Sequence, residues 1–177
     1  AVGYDALKTN TTGDNNTAIG FKAGQSITSS GIENVLIGAT AALNATALQK
    51  SVVIGSQACG SGVMTGDLRT VAIGYQAGYK LTSGLHNTIV GYSAMSKETT
   101  GDESTAIGYL ALYSQRGTGA NTAVGFQAGL ECTGGNDNVF IGKNAGQNTK
   151  LVNSVIFIGT GTGAVSNITT ASDGTIA

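Results

Sequence analysis

Proline and tryptophan are absent from this 177-residue sequence, charge is scarce, and it has two cysteines and one histidine. Charged residues make up 11% of the chain, against about 25% in ordinary globular domains, and aromatic residues 6%. A core packed from leucine and aromatic side chains is therefore not expected. The nine lysines and arginines lie singly along the chain and the net charge is −1. With no basic patch to neutralise phosphates, nucleic-acid binding has no electrostatic footprint. No stretch approaches the run of about 20 apolar residues that spans a bilayer. Cys59 and Cys132 form no C-x-x-C pair, and with His86 as the one imidazole no zinc site is expected. A Cys59–Cys132 disulfide and two separate, semi-buried thiols both stay open. The chain starts at Ala1 with no signal-peptide pattern, which reads as a processed chain or a fragment.

What is abundant is glycine, 28 in all, and it is periodic. A β-branched residue followed by glycine occurs at Val2-Gly3, Ile19-Gly20, Ile37-Gly38, Ile54-Gly55, Ile73-Gly74, Val90-Gly91, Ile107-Gly108, Val124-Gly125, Ile141-Gly142 and Ile158-Gly159. The numbers of successive glycines differ by 17, 18, 17, 19, 17, 17, 17, 17 and 17. Alanine follows three positions after the glycine in nine of the ten copies, from Ala6 to Ala145, and Thr162 breaks the series. Directly after the glycine stands an aromatic at Tyr4, Phe21, Tyr75, Tyr92, Tyr109 and Phe126. Four before it stands Asn or a hydroxyl residue, as at Asn16, Asn34, Ser51, Asn87, Ser104, Asn121 and Asn138.

Such a unit is a short strand and a turn. Thr122-Ala123-Val124 suits a pleated, half-buried surface, and the Ser-Gly, Thr-Gly and Gly-Asp clusters supply turn chemistry. Helix is the competing reading of segments such as Tyr109 to Tyr113, but pieces this short show no helical stripe and are marginal alone. A unit that cannot bury its own apolar face must stack on copies of itself. The expectation is an all-β parallel solenoid of about ten coils, each roughly 17 residues long, over residues 1–163, with 164–177 a non-repeating tail or linker. At roughly 4.8 Å per coil the rod is about 43 Å long, and the longer intervals carry extra residues in outward loops. The scaffold residues are Gly20, Gly38, Gly55, Gly74, Gly91, Gly108, Gly125, Gly142 and Gly159, with Ile19, Ile73, Ile107 and Ile141 before four of them.

Period two places the residue before glycine, the aromatic after it and the alanine two further on together on one face. The other face carries Ala18, Leu36, Val53, Ala72, Ile89, Ala106, Ala123, Phe140 and Phe157. Both are apolar, and a strand apolar on both sides is buried on both sides. A thin coil has one interior, so the second face is expected to meet other protomers.

The segments Thr70-Val-Ala-Ile-Gly-Tyr-Gln-Ala-Gly78 and Asn121-Thr-Ala-Val-Gly-Phe-Gln-Ala-Gly129 resemble the repeats of phage tail-fibre proteins. They are also similar to the head repeats of trimeric autotransporter adhesins, whose coils form a left-handed parallel β-roll. The resemblance runs from Ala1 to about Gly163 and departs from those families at the C-terminal end, where no chaperone domain follows. It implies a homotrimeric, extracellular fibre on a virion surface that attaches to a host receptor or glycan and joins other fibre or tail proteins. A bacterial adhesin head or an extracellular filament subunit is the alternative.

The residues that could carry chemistry read as structural. His86 sits in a Gly-Leu-His-Asn turn without an orienting partner or nucleophile. Asp102-Glu103 is an acidic pair in a turn, although a polysaccharide depolymerase on a β-solenoid would need two acids across a cleft. Gly159-Thr-Gly-Thr-Gly163 lacks the lysine and helix of a phosphate loop. Asp14, Asp67, Asp102 and Asp137 stand at related phases and would bind calcium only if their oxygens converged. Asn10, Asn15, Asn44 and Asn167 lie in N-x-[ST] sequons, relevant in a source that glycosylates asparagine. A single glycine signal per repeat, where hexapeptide acyltransferases carry several per coil, argues against that class. The flat T-x-T ladders of ice binding are missing. No catalytic residue, metal or cofactor is expected. Recognition falls to variable loops such as 25–33, 61–69 and 131–137.

Overall fold

The computed structural model describes residues 1–28, 30–66, 68–117 and 119–163. The 164–177 tail, Asp67 and Asn167 lie outside them. No helix occurs among the described residues, and Tyr109–Tyr113 is a turn.

Nine strands of three residues stack into one parallel sheet: β1 (Thr17–Ile19), β2 (Val35–Ile37), β4 (Val52–Ile54), β6 (Val71–Ile73), β7 (Thr88–Val90), β8 (Thr105–Ile107), β9 (Thr122–Val124), β10 (Val139–Ile141) and β11 (Ile156–Ile158). Each residue pairs with its equivalent in the next repeat, as Ala106 with Ala123, so this is the expected solenoid. Val2 bridges Ile19 and adds a rung at the N-terminal end. The longest interval between repeat glycines, from Gly55 to Gly74, contains β5 (Thr65–Gly66). It pairs with β3 (Ala47–Leu48) as a second, two-stranded sheet.

The glycines let coils approach at this spacing. Gly108 has φ +138°, and a Cβ there would lie 2.3 Å from the carbonyl oxygen of Gly125 in the next coil. The same contact recurs from rung to rung, which is why the residue is fixed while its neighbours vary. After it the chain bends: Ala111 donates to Gly108 O, while Leu110 and Leu112 adopt φ of +55° and +49°. Strand alternation therefore stops at the glycine. This corrects the expected two-face assignment. The alanines from Ala23 to Ala145 point into the coil and are fully buried, whereas the Ile and aromatic positions beside them face outward.

Inside, the middle residue of each strand is buried. These residues vary greatly in size, from Ala106 to Phe140, and the coil compensates at the fourth position after each glycine. Gly24 takes Leu36, Gly78 takes Ile89, and Gly129 and Gly146 enclose Phe140: a Cβ added to any of the four would come within 2.2–2.9 Å of those side chains. Where the strand centre is Ala106 or Ala123, the fourth position after the preceding glycine holds Met95 or Leu112, both fully buried. Large strand centres thus meet glycine, and Ala106 and Ala123 meet Met or Leu, as close packing favours.

A polar column completes the interior. Asn121 Oδ1 accepts from the backbone N and Nδ2 of Asn138 at 3.0 and 2.9 Å, and Asn121 Nδ2 donates to Gly135 O at 2.9 Å. Asn34 plays the same part with Asn16, Ser51 and Leu48 O. Each side chain thus caps a backbone N–H of the next coil that the three-residue strand leaves unpaired, meeting the demand that buried polar groups be satisfied.

Candidate functional site: the outer face and its flanking grooves

Turning outward, each strand of the main sheet presents its first and third residues, such as Val71 and Ile73, with the aromatic column beside them. Tyr75, Tyr92, Tyr109 and Phe126 stack at centroid distances of 5.1, 5.4 and 5.0 Å, and Tyr4 stacks on Phe21 at 5.7 Å. Ala39 and Ser56 separate the two blocks. Within a block, neighbouring rings cover each other's faces, so ring edges meet solvent. The six rings are 40% to 69% exposed, and Ile19, Ile107, Ile141 and Ile158 beside the column are exposed as well. At about 200 Å² per aromatic side chain, the rings alone leave roughly 600 Å² of aromatic surface open. Of this, roughly 350 Å² belongs to the four-ring block, within the range of the largest apolar patches of ordinary monomers before the isoleucines are added. Ile73 shares this outer column, being only partly buried.

Two grooves share Lys97, and one of them is walled by Tyr92 of the column. The larger, about 510 Å³, runs between Tyr92 and Tyr113 and includes Gln76, Lys97 and Glu131. The smaller, about 210 Å³, is lined by Lys80, Lys97, Thr99 and Arg116. Here the expectation of singly scattered basic residues fails. Positions one repeat apart occupy adjacent coils, so cations remote in sequence share a surface. Numbering by the repeat period aligns Lys80 with Lys97, each six residues after its glycine, while Arg116, eight after Gly108, falls in phase with Thr99 instead.

A third groove of about 440 Å³ is acidic, with Asp102, Glu103 and Asp137 on its rim. Asp102 Oδ1 is engaged by the Leu85 N–H at 2.7 Å. Of the four aspartates at related phases, Asp67 lies outside the described residues; among the described residues no cluster of three or more His, Cys, Asp or Glu fit to hold a metal occurs. His86 is exposed and donates its backbone N–H to Leu68 O. Gly159 to Gly163 forms the last described turn, with Thr162 Oγ1 donating to Gly159 O.

The buried chemistry was not legible in the sequence. Glu98 is fully buried, and its Oε1 accepts from the N–H groups of Thr99, Thr100, Gly101 and Gly117 at 2.7–2.9 Å. This nest of backbone dipoles stabilises an anion. Glu98 Oε2 is buried and makes no hydrogen bond among the described residues. Cys59 and Cys132 are free and buried, so the disulfide is not formed. Burial pushes both thiols up to about 12, and the Glu98 carboxylate adds to the rise at Cys132. As thiols rather than thiolates, they are poor nucleophiles.

Compared with known proteins, the chain matches no family model, no curated protein and no solved structure.

Proposed function

We propose that the chain is a structural and host-attaching segment of an extracellular fibre, of the phage tail-fibre kind, assembled as a homotrimer through its outer strand face and acting without catalysis. The observation that carries this reading is the run of exposed β-branched residues and stacked aromatics along the coil axis. Its rings expose roughly 600 Å² in two blocks, and the β-branched residues beside them extend this toward the roughly 800 Å² per partner of a standard protein interface. The ring faces are already used within the column, so it favours a flat, linear partner. A second and third copy of the same rod, with the same axial repeat, fit it in register. The stacked coils supply a stiff rod whose contacts are nearest-neighbour ones, suited to bearing load and presenting loops at a distance.

Tyr75→Glu/Tyr109→Glu tests the assembly. Sedimentation of this variant should give the mass of one chain with an unchanged far-ultraviolet spectrum. Retention of the unsubstituted protein's multimeric mass would remove the outer face as the interface. Attachment is tested by incubating labelled protein with a panel of bacterial strains. Saturable binding to some strains is expected, and binding to none contradicts the reading.

A further inference from the structure

Three of the nine basic residues of this sparsely charged chain meet in one place. Lys80, Lys97 and Arg116 come from successive coils and line a single depression with Thr99. None of the three makes an ion pair among the described residues. The carboxylate next to Lys97 in the chain, Glu98, spends one oxygen on four backbone N–H groups, and its other oxygen is buried. Glu131, in the adjoining groove, lies 4.0 Å from Lys150. The cations thus repel one another with no acid lining their own depression, an arrangement that an incoming anion relieves.

The second observation concerns what lies next to the cations. Lys97 belongs to both grooves, and its Nζ lies 4.3 Å from the centroid of the Tyr113 ring. From there the larger groove continues past Tyr113, Leu110 and Leu130 as an apolar wall, with Gln76, Ser93 and Ser114 as hydrogen-bonding groups and with Glu131, its charge offset by Lys150 at 4.0 Å, in the same lining. A cationic end joined to a half-apolar, half-hydroxylic trough matches a sugar with an acidic substituent. The anion meets the lysines and arginine, the C–H face of the ring meets the apolar wall, and the hydroxyls meet the amide and serines.

We propose that the paired grooves around Lys97 form a binding site for an acidic saccharide, with Lys80, Lys97 and Arg116 holding its anionic group and Tyr113 packing against the sugar ring. The site specifies the ligand class for the attachment reading above and rests on that reading for its biological setting. Tyr92 walls the larger groove and also belongs to the outer face assigned to assembly, so the site borders that face.

The test is calorimetric titration of the full chain with four probes: a hexamer of galacturonic acid, a sulfated chondroitin hexamer, a glycerol-phosphate hexamer and neutral maltohexaose. Binding of at least one anionic sugar probe (the first two) and not maltohexaose is expected, weakening as salt rises. The preferred probe separates carboxylate from sulfate, and binding of the glycerol phosphate alone would argue against the sugar. Lys80→Gln and Arg116→Gln should each weaken binding about tenfold, the worth of one charged hydrogen bond. Tyr113→Ala should weaken sugar binding while leaving the salt dependence unchanged. The proposal is overturned if no anionic sugar probe binds, or if the three substitutions leave the affinity unaltered. Sedimentation of the same samples separates this outcome from failure of the assembly reading, because these variants should keep the unsubstituted protein's mass.

Discussion

Replacing Gly108 by alanine puts one methyl group where the structure has no room. The backbone there has φ +138°, a region L-residues other than glycine essentially do not occupy, and forcing one into it costs about 1–3 kcal/mol. The added Cβ would lie 2.3 Å from Gly125 O, so β8 and β9 must separate or slide, which adds about 1–3 kcal/mol of overpacking. The sum is about 4 kcal/mol. Gly117 provides the control. Its φ is +63°, the nearest atom to an added Cβ is 3.5 Å away, and Gly117→Ala should cost about 1 kcal/mol. Stacked repeats can unfold in parts, so a denaturation midpoint alone is insufficient. Hydrogen exchange read by mass spectrometry on peptides covering β8 and β9 should show lost protection in Gly108→Ala and near-normal protection in Gly117→Ala. Equal protection in the two variants would refute the claim that glycine sets the coil spacing.

Further perturbations probe the interior. Asn121→Ala removes the side chain that satisfies the Asn138 N–H and the Gly135 carbonyl, and should cost about 2–4 kcal/mol in guanidinium unfolding. Glu98→Ala strands four backbone N–H groups and should lower the melting temperature more than Glu98→Gln, which keeps an accepting oxygen. Ala123→Phe should destabilise alone and recover much of the loss when combined with Leu112→Gly, because Leu112 stands at φ +49° and occupies the compensating position. The buried thiols give a pH signature. Their folded values lie above their ordinary value of 9.0, so the stability they confer is complete below about pH 9 and lost as pH rises toward 12. The slope is about 1.4 kcal/mol per pH unit for each thiol. Urea midpoints at about pH 8 and about pH 10.5, on either side of the ordinary thiol value, should differ accordingly. Cys59→Ser/Cys132→Ser should flatten the alkaline part of the curve.

The period of the solenoid was legible because Gly20 through Gly142 cannot be any other residue: conformation and inter-coil distance both forbid a side chain. The asparagine column was visible for a related reason, since Asn34 and Asn121 each cap the neighbouring coil. Period-two reasoning failed at the alanines because it carried strand geometry past the glycine into a turn, where Leu110 and Leu112 take positive φ. Size matching between Gly129 and Phe140, or Met95 and Ala106, was present in the sequence. It needs a partner well removed along the chain, and such a separation has meaning only once the coil path is known. The cation cluster was hidden in the same way. Lys80, Lys97 and Arg116 look isolated along the chain and become neighbours on stacking. Glu98 gave no signal at all, since a lone glutamate between Lys97 and Thr99 reads as surface.

The most direct test of the fibre reading is the mass of the unsubstituted protein in solution by light scattering. A mass of about three times 17.6 kDa is predicted, with the strand face covered by the other two copies. A mass of 17.6 kDa across a wide concentration range would contradict it, leaving the stacked tyrosines exposed on a single-chain rod.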